Sequence, residues 1–201
     1  FRGTFLKWTN YWQCYKYIGK TVQKKTSKAY KRYSSSVVDM NKNDEYKGRG
    51  FIYRDRNEKK STTSCIDWED SKLDTDQKQY IEKIVELCKK NNIKIVFTTV
   101  AQDPETVKEK VTGFQKADDY IRGIANELGV EYYNFNGIYQ TYFERSADDF
   151  YDKEGHMYGD TAERFSKIYG QVIRESFNGG LQNDYFEKDL KALYGDPAVI
   201  K

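Results

Sequence analysis

Apolar residues in the centre of the chain alternate between strand and helix spacing. Residues 93–100 form a nearly continuous apolar and β-branched run, which predicts a strand buried on both faces. Residues 130–135 predict the next strand, and the helical pattern between the two strands ends at Gly129. A strand, a helix and a second strand in this order make a right-handed crossover, so we expect the two strands to be parallel.

Further segments have the periodicity of helices. A capping sequence at 74–77 precedes the apolar stripe Ile81, Ile84, Val85 and Cys88, and Asn91-Asn92 follows it as a stop signal. Asp103 before Pro104 predicts an N-cap with proline at the first helical position, and a helix that is broken near Gly113. A later helix, from about 158 to 177, has as its inward residues Ala162, Phe165, Ile168, Tyr169, Val172 and Ile173.

These elements predict the α/β class, as a three-layer α/β/α domain with a mainly parallel sheet. We interpret residues 1–201 as a single domain with three parts. They are a basic, aromatic, helical segment at 1–38, an α/β body at 39–177 and a helical tail at 178–201. The body begins with a polar, turn-rich stretch that holds a short strand near 50–53, and the tail holds a short helix near 185–194.

Length and composition limit the possible classes. A chain of 201 residues is long enough for one α/β domain with a sizeable core. No apolar run approaches the ~18–20 residues that span a bilayer, so no transmembrane segment is predicted. Because the chain begins at Phe1 without an initiator methionine, we interpret it as an N-terminally truncated fragment. Its three cysteines are scattered without metal-ligand spacing, so neither a disulfide framework nor a zinc site is predicted.

Positive charge is concentrated at the start of the chain. Residues 1–38 contain nine lysines or arginines and no acid, interleaved with tryptophan and tyrosine. Such a pattern can bind single-stranded nucleic acid or another anionic polymer by stacking and charge. No RNA-binding signature accompanies it, so no specific nucleic acid is expected. The simpler interpretation is a helix whose aromatic stripe packs on the sheet, and an anionic polymer is the alternative partner.

The chemistry-bearing residues converge on the stretch 148–166. It holds the only histidine of the chain, His156, with Asp152 four residues before it. Histidine changes charge near neutral pH, and a carboxylate beside it can fix its tautomer during proton transfer. Ligands of open parallel sheets bind beyond the carboxyl ends of the strands. The loops after the two predicted strands therefore bring Gln102 and His156 to the same edge.

The stretch around His156 resembles the last motif of the SGNH (GDSL-like) hydrolases, in the group associated with bacterial surface-polysaccharide acylation. That motif usually reads Asp-x-x-His-Leu-Asn-x-x-Gly-Ala-x-x-Phe-Ser. The residues in register with it are His156, Met157, Ala162, Phe165 and Ser166. The resemblance implies a flavodoxin-like fold and a serine esterase or O-acyltransferase that needs no metal or organic cofactor. It also implies an acylated polysaccharide as substrate and an extracytoplasmic or cell-surface location.

The resemblance also implies roles for individual residues. His156 is the expected general base and Asp152 the residue that orients it, although the family has its aspartate three residues before the histidine, where Lys153 stands. Gln102 is the amide nearest to the position of the family's oxyanion-hole asparagine. The family's serine lies in a Gly-Asp-Ser or Gly-Ser-Ser turn, and this chain contains neither tripeptide. The nucleophile is therefore expected outside the chain, and the serines to examine otherwise are Ser34, Ser35, Ser36 and Ser64.

Two functions follow from these observations. The first is an SGNH-type esterase or O-acyltransferase domain that is inactive as this fragment, because no serine turn is present to attack a carbonyl. The alternative is a non-catalytic SGNH-like module that binds glycan or a partner protein. A strand that ends in Gly-Asp-Ser or Gly-Ser-Ser upstream of Phe1 would favour the enzyme.

Overall fold

The computed structural model describes residues 22, 44–48, 51–57, 60–61 and 75–195. The chain divides into two compact units, Phe1–Asp55 and Arg56–Lys201, which are described one at a time. The basic aromatic segment at 1–38 lies outside the described residues apart from residue 22, so its packing stays a prediction. The assignment of the whole chain to a single domain also stays a prediction.

The described part of the first unit is a β-hairpin. Strand β1, Asp44–Gly48, pairs with strand β2, Phe51–Arg54, in antiparallel register with a bulge between Tyr46 and Gly48. The sequence predicted only the second strand, because β1 is polar and lacks an apolar alternation. Its pairing is supported by cross-strand contacts, in which the ammonium of Lys47 lies 5.4 Å from the ring centroid of Tyr53.

The second unit is built around a parallel pair of strands. Its strands are β3, Val96–Thr99, and β4, Glu131–Asn134, and Val96 pairs with Glu131. Its helices are α1, Thr75–Lys90; α2, Pro104–Glu109; α3, Val111–Leu128; α4, Gly159–Phe177; and α5, Leu190–Tyr194. The α/β class and the parallel pairing are confirmed. None of the helices in the described part of the chain combines the length and apolarity that a membrane span requires.

The helix termini follow the local sequence signals. The carboxylate of Asp103 accepts the backbone N–H of Glu105 at 3.0 Å and the hydroxyl of Thr106 at 2.8 Å, which confirms the predicted N-cap. The predicted break occurs at Lys110, between α2 and α3, rather than at Gly113. Gly129 ends α3 with a φ of 60°, in the left-handed region that favours glycine.

Side chains of β4 alternate between two helices. The Asn134 amide donates to Asp118 of α3 at 2.9 Å, and Tyr132 lies under Arg122 of the same helix. Glu131 accepts a hydrogen bond from Ser176 of α4. Because successive side chains of a strand point to opposite faces, α3 and α4 contact opposite faces of the two-stranded sheet.

The core of the second unit lies between the sheet, the loop after β4 and α4. Phe135 is fully buried, and its ring makes edge-to-face contacts of 5.2 Å with Phe165 and with Phe186. Aromatic pairs of this kind contribute about 0.5–1.5 kcal/mol each beyond their burial. The buried members of the cluster are Ala101, Phe135, Ile138, Phe143, Phe165, Val172 and Tyr185. This cluster fixes the carboxyl end of the sheet, where β4 leads into the loop.

Two sequence predictions about burial were wrong. The strand predicted at 93–100 spans only Val96–Thr99, and all four of its residues are half-buried rather than buried. Within the described residues β3 pairs with β4 alone, so its second edge has no strand to cover it. Ile84 belongs to the predicted apolar stripe of α1, yet it is 54% exposed, whereas Val85 is 2% exposed. The apolar stripe of α1 is therefore wider than the surface that covers it.

Gly137 and Gly170 provide a matched test of this packing. A Cβ at Gly137 would overlap the carbonyl oxygen of Glu187, whereas a Cβ at Gly170 in α4 meets no atom within 4 Å. We expect Gly137→Ala to lower the free energy of unfolding by about 1–3 kcal/mol through overpacking. Gly170→Ala should raise it by roughly 0.5–1 kcal/mol, because alanine favours a helix. Urea unfolding of both variants measures this, and an unchanged Gly137→Ala would contradict the close approach.

Candidate active site

His156 and Asp152 form a hydrogen-bonded dyad. The imidazole Nδ1 lies 2.7 Å from the carboxylate Oδ2 of Asp152. The side chain of Asp152 is 5% exposed, and that of His156 is 61% exposed. Nδ1 carries a proton when it donates to a carboxylate, which leaves Nε2 as the basic nitrogen. Among the described residues the ring has no other hydrogen-bond partner, so Nε2 can accept a proton from a group that approaches from solvent.

The second oxygen of Asp152 organises the turn that carries the histidine. Oδ1 accepts the backbone N–H of Glu154 at 3.0 Å and that of His156 at 3.2 Å. Gly155 between them has a φ of 96°, which an L-residue adopts only with strain. One carboxylate therefore holds both the backbone and the ring of His156.

Gln102 lies against this turn. A Cβ built on Gly155 would lie 3.1 Å from Cδ and 3.3 Å from Oε1 of Gln102, so the glycine also makes room for the amide. Oε1 is buried and has no hydrogen-bond partner among the described residues. The amide nitrogen Nε2 is not among the buried, unpartnered atoms. No described residue accepts a hydrogen bond from it, so it is open to a ligand. The structure therefore brings Gln102, Asp152 and His156 together at one edge.

A chain of polar groups fixes the loop that carries Gln102. The backbone N–H of Gln102 donates to Oδ1 of Asn136 at 2.8 Å. The backbone N–H of Asn136 donates to Oδ1 of Asn134 at 3.0 Å, and the Asn134 amide donates to Asp118. Arg122 neutralises that carboxylate at 2.8 Å. Buried amides bonded on both sides make a rigid link, which here joins the loops after β3 and β4.

A second polar cluster holds the base of the histidine loop. Asp149 is 9% exposed, and its Oδ1 accepts from Arg56 at 2.7 Å, from Thr161 at 2.9 Å and from Arg164 at 2.9 Å. Its Oδ2 accepts the backbone N–H of Ser146 at 2.9 Å. Burial raises the pKa of Asp149, but the hydrogen bonds from Arg56, Ser146 and Thr161 and the charge of Arg164 outweigh it, so that the pKa lies below the ordinary value.

The dyad also belongs to a group that could hold a divalent cation. One ligand atom each from Asp152, Glu154 and His156 lies within 4.8 Å of the others. Carboxylate oxygen and imidazole nitrogen suit zinc and other transition metals. The sequence predicted no metal site, because the prediction rested on cysteine spacing. The two acids beside the histidine form no metal-ligand motif in the sequence.

No nucleophile accompanies the dyad in the described part of the chain. No hydroxyl or thiol there is hydrogen-bonded to His156, and the candidate serines at 34–36 and 64 lie outside the described residues. The backbone N–H of Ser61 donates to the carbonyl of Tyr151 at 2.9 Å, so the segment 60–61 runs beside the histidine loop.

Sequence reasoning missed the residues that fix the site. Asn136, Asp149 and Arg56 make side-chain bonds to residues that are distant in sequence, and no local pattern distinguishes them from solvated polar residues. The position of Asn136 directly after a predicted strand was the one signal that could have singled it out.

Comparison of the chain with protein-family models, with curated protein sequences and with solved structures found no significant match.

The depressed pKa of Asp149 predicts a loss of stability in acid. In the unfolded chain this carboxyl takes up its proton near pH 4, whereas in the folded protein it does so at lower pH. The stabilisation is therefore fully present above about pH 4 and is lost as the pH falls through the folded pKa. We expect Asp149→Asn to flatten the decline of the melting temperature between about pH 5 and pH 2. Asp119→Asn, on the exposed face of α3, is the control, and equal slopes in both variants would contradict the assignment.

Proposed function

We propose that this chain carries the base half of an SGNH-type acyl-transfer site. In this proposal His156 is the general base, Asp152 orients it, and Gln102 stabilises the oxyanion. The domain is related to esterases or O-acyltransferases that act on acyl esters of cell-surface carbohydrate. The observation that carries the proposal is the 2.7 Å bond between Nδ1 of His156 and the nearly buried carboxylate of Asp152, with the rest of the ring open to solvent.

The electrostatic arrangement supports a base rather than a structural histidine. A carboxylate at Nδ1 stabilises the imidazolium that forms when Nε2 accepts the proton of an attacking hydroxyl. A histidine with a purely structural role would normally have both nitrogens satisfied by the protein, because buried polar groups are hydrogen-bonded. Here the ring is 61% exposed, so the nitrogen that is not bonded to Asp152 is open to solvent.

The position of the dyad in the fold supports a ligand site. Gln102 follows β3 at an interval of three residues, and the loop after β4 carries Asp152 and His156. Loops after adjacent parallel strands converge at the carboxyl edge of the sheet, which is where α/β proteins bind ligands. We infer that the two-stranded sheet is part of a larger parallel sheet in a three-layer α/β/α domain of flavodoxin-like type, because helices contact both faces of the sheet.

The side chain of Gln102 supports the oxyanion role. Its carbonyl oxygen is turned inward against Gly155. The amide group that remains is a donor, and an oxyanion hole requires donors. The polar chain through Asn136 fixes the loop, so the donor is held before a substrate arrives.

A covalent probe identifies the missing nucleophile. A fluorophosphonate reagent forms a stable adduct with a serine that a histidine has activated, and mass spectrometry of the peptides locates the adduct. We expect no adduct and no aryl acetate hydrolysis above background from residues 1–201. We expect an adduct in a form extended upstream of Phe1, on a serine of that extension.

His156→Ala should lower turnover of the active form by ~10⁴-fold or more, and Asp152→Asn by on the order of 10³–10⁴-fold.

Each other outcome has a definite meaning. An adduct on residues 1–201 that depends on His156 would show that the nucleophile lies inside the chain, and its peptide would name the residue. An extended form that neither reacts nor hydrolyses esters, yet binds polysaccharide, would replace the enzyme with the glycan-binding module. Turnover that survives His156→Ala would overturn the role of the histidine.

Substitution of Gln102 tests the oxyanion role separately. Gln102→Glu keeps the shape of the side chain and removes the donor, so we expect kcat of the active form to fall by ~10²–10³-fold with little change in KM. Glu105→Gln, an exposed change on the neighbouring helix α2, should leave kcat unchanged. A Gln102→Glu variant that alters KM alone would assign the side chain to ground-state binding.

A further inference from the structure

The histidine loop is closed by its own backbone. The N–H of Tyr151 donates to the carbonyl of His156 at 2.7 Å, and the N–H of Tyr158 donates to the carbonyl of Asp149 at 3.1 Å. Phe150 and Met157 form an antiparallel bridge between these bonds. Asp152 and His156 therefore sit at the tip of a short hairpin, and their geometry depends on the two strands that lead to it.

One arginine from a distant part of the chain bonds to residues on both sides of this hairpin. On the incoming side, Arg56 Nη1 donates to the carbonyl of Asp148 at 2.7 Å and Nη2 to Oδ1 of Asp149 at 2.7 Å. On the outgoing side, Nε donates to Oδ2 of Asp160 at 2.9 Å and Nη2 to the hydroxyl of Thr161 at 3.1 Å. All three guanidinium nitrogens are in use.

We propose that Arg56 is a positioning residue for His156. It joins the residues that lead into the hairpin to the first turn of α4, which follows the hairpin, and thereby holds the imidazole against Asp152. The consequence for catalysis rests on the proposed function, whereas the positioning itself does not. Arg56 touches neither member of the dyad, so its effect passes through the backbone of the hairpin.

The chemistry of this contact requires arginine. The guanidinium is planar and presents its donors in a fixed arrangement, so it can bond at once to acceptors on both sides of the hairpin. The ammonium of a lysine is a single point of charge and cannot reach all four acceptors. The guanidinium also lies over the ring of Tyr158, 5.4 Å from its centroid, which adds a contact that lysine would share only in part.

Two neighbouring cations bond to the same region but make fewer bonds across it. Arg164, which lies on α4, donates to Asp149 at 2.9 Å and to the hydroxyl of Thr161 at 3.4 Å, and its remaining bond goes to the carbonyl of Glu144. Lys60 bonds to the carbonyl of Ala147 and to Asp148 at 2.9 Å, both on the incoming side. Arg56 bonds to two acceptors on each side of the hairpin, so its removal should free the hairpin more than removal of either neighbour.

The first measurement is amide hydrogen exchange in residues 1–201. Loss of Arg56 removes several charge-assisted bonds, so we expect Arg56→Ala to speed exchange at the amides of Tyr151 and Tyr158 by roughly tenfold or more. Arg164→Ala should change these rates less than threefold, because Arg56 keeps its bonds to both sides of the hairpin. Arg56→Lys should give an intermediate rate.

The second measurement reads the imidazole itself. His156 is the only histidine of the chain, so the two-bond ¹H–¹⁵N spectrum of the untagged protein contains one imidazole pattern. In the parent chain we expect a single tautomer with the proton on Nδ1, because the carboxylate of Asp152 holds it there. In Arg56→Ala we expect a mixture of tautomers, as an imidazole free in water would show. A purely structural loss of stability would not alter this pattern while the protein stays folded.

Controls separate the possible outcomes. Lys78→Ala removes an ion pair of 2.8 Å between α1 and α3 and should leave the tautomer and both exchange rates unchanged. If Arg56→Ala and Arg56→Lys both keep the parent's tautomer and exchange rates, the proposal is overturned. Equal changes in Lys78→Ala would also overturn it, since they would indicate general destabilisation. If Arg56→Ala fails to fold, the Arg56→Lys result decides.

Neither measurement involves turnover. A failure here would leave the esterase proposal intact, and an inactive extended protein would leave the role of Arg56 intact.

Discussion

The carboxylate of Asp149 is the constraint on which the candidate site depends. It is nearly buried, and its Oδ1 accepts hydrogen bonds from Arg56 and Thr161, which lie in other segments of the chain. A buried carboxylate without these donors would cost several kcal/mol, so the segments must come together for it to ionise. Arg56 brings the start of the second unit, and Thr161 brings the first turn of α4. The hairpin that carries His156 lies between Asp149 and α4 in sequence. The bonds from Arg56 and Thr161 to Asp149 therefore fix the distance between the two ends of the hairpin.

A second buried network fixes the Gln102 loop through the side chains of two asparagines, and it ends at the carboxylate of Asp118. Asn136 joins the Gln102 loop to β4, and Asn134 joins β4 to Asp118 of α3. Each side-chain oxygen accepts a backbone N–H, so a change of rotamer would leave a buried partner unpaired at a cost of about 1–3 kcal/mol. The two networks fix two loops independently, and the loops meet where Gly155 faces Gln102. A Cβ there would press on the Gln102 amide at 3.1 Å, and the φ of 96° also favours glycine, so the meeting point is constrained as well.

Local sequence signals predicted the elements of the second unit well. Apolar periodicity and caps gave the helices and both strands, and the crossover rule gave the parallel pairing, because these depend on neighbours within a few residues. Burial was predicted less well. Ile84 and the ends of the strand at 93–100 are apolar, but what covers them depends on the arrangement of other elements. For the site, the pairing of His156 with Asp152 could be predicted from spacing. The roles of Arg56, Asp149 and Asn136 could not, since each acts across a long interval of sequence.

The four-residue interval between Asp152 and His156 has a physical explanation in the turn itself. The chain must reverse its direction within this interval for the imidazole to meet the carboxylate. Gly155 adopts a φ of 96° and reverses the chain within that interval. Oδ1 of Asp152 then binds the N–H groups of Glu154 and His156, which closes the turn around the carboxylate and leaves Oδ2 for the ring. The interval is thus closed by a glycine conformation. The same glycine admits Gln102, so the turn that holds the histidine against the carboxylate also brings the amide to that turn.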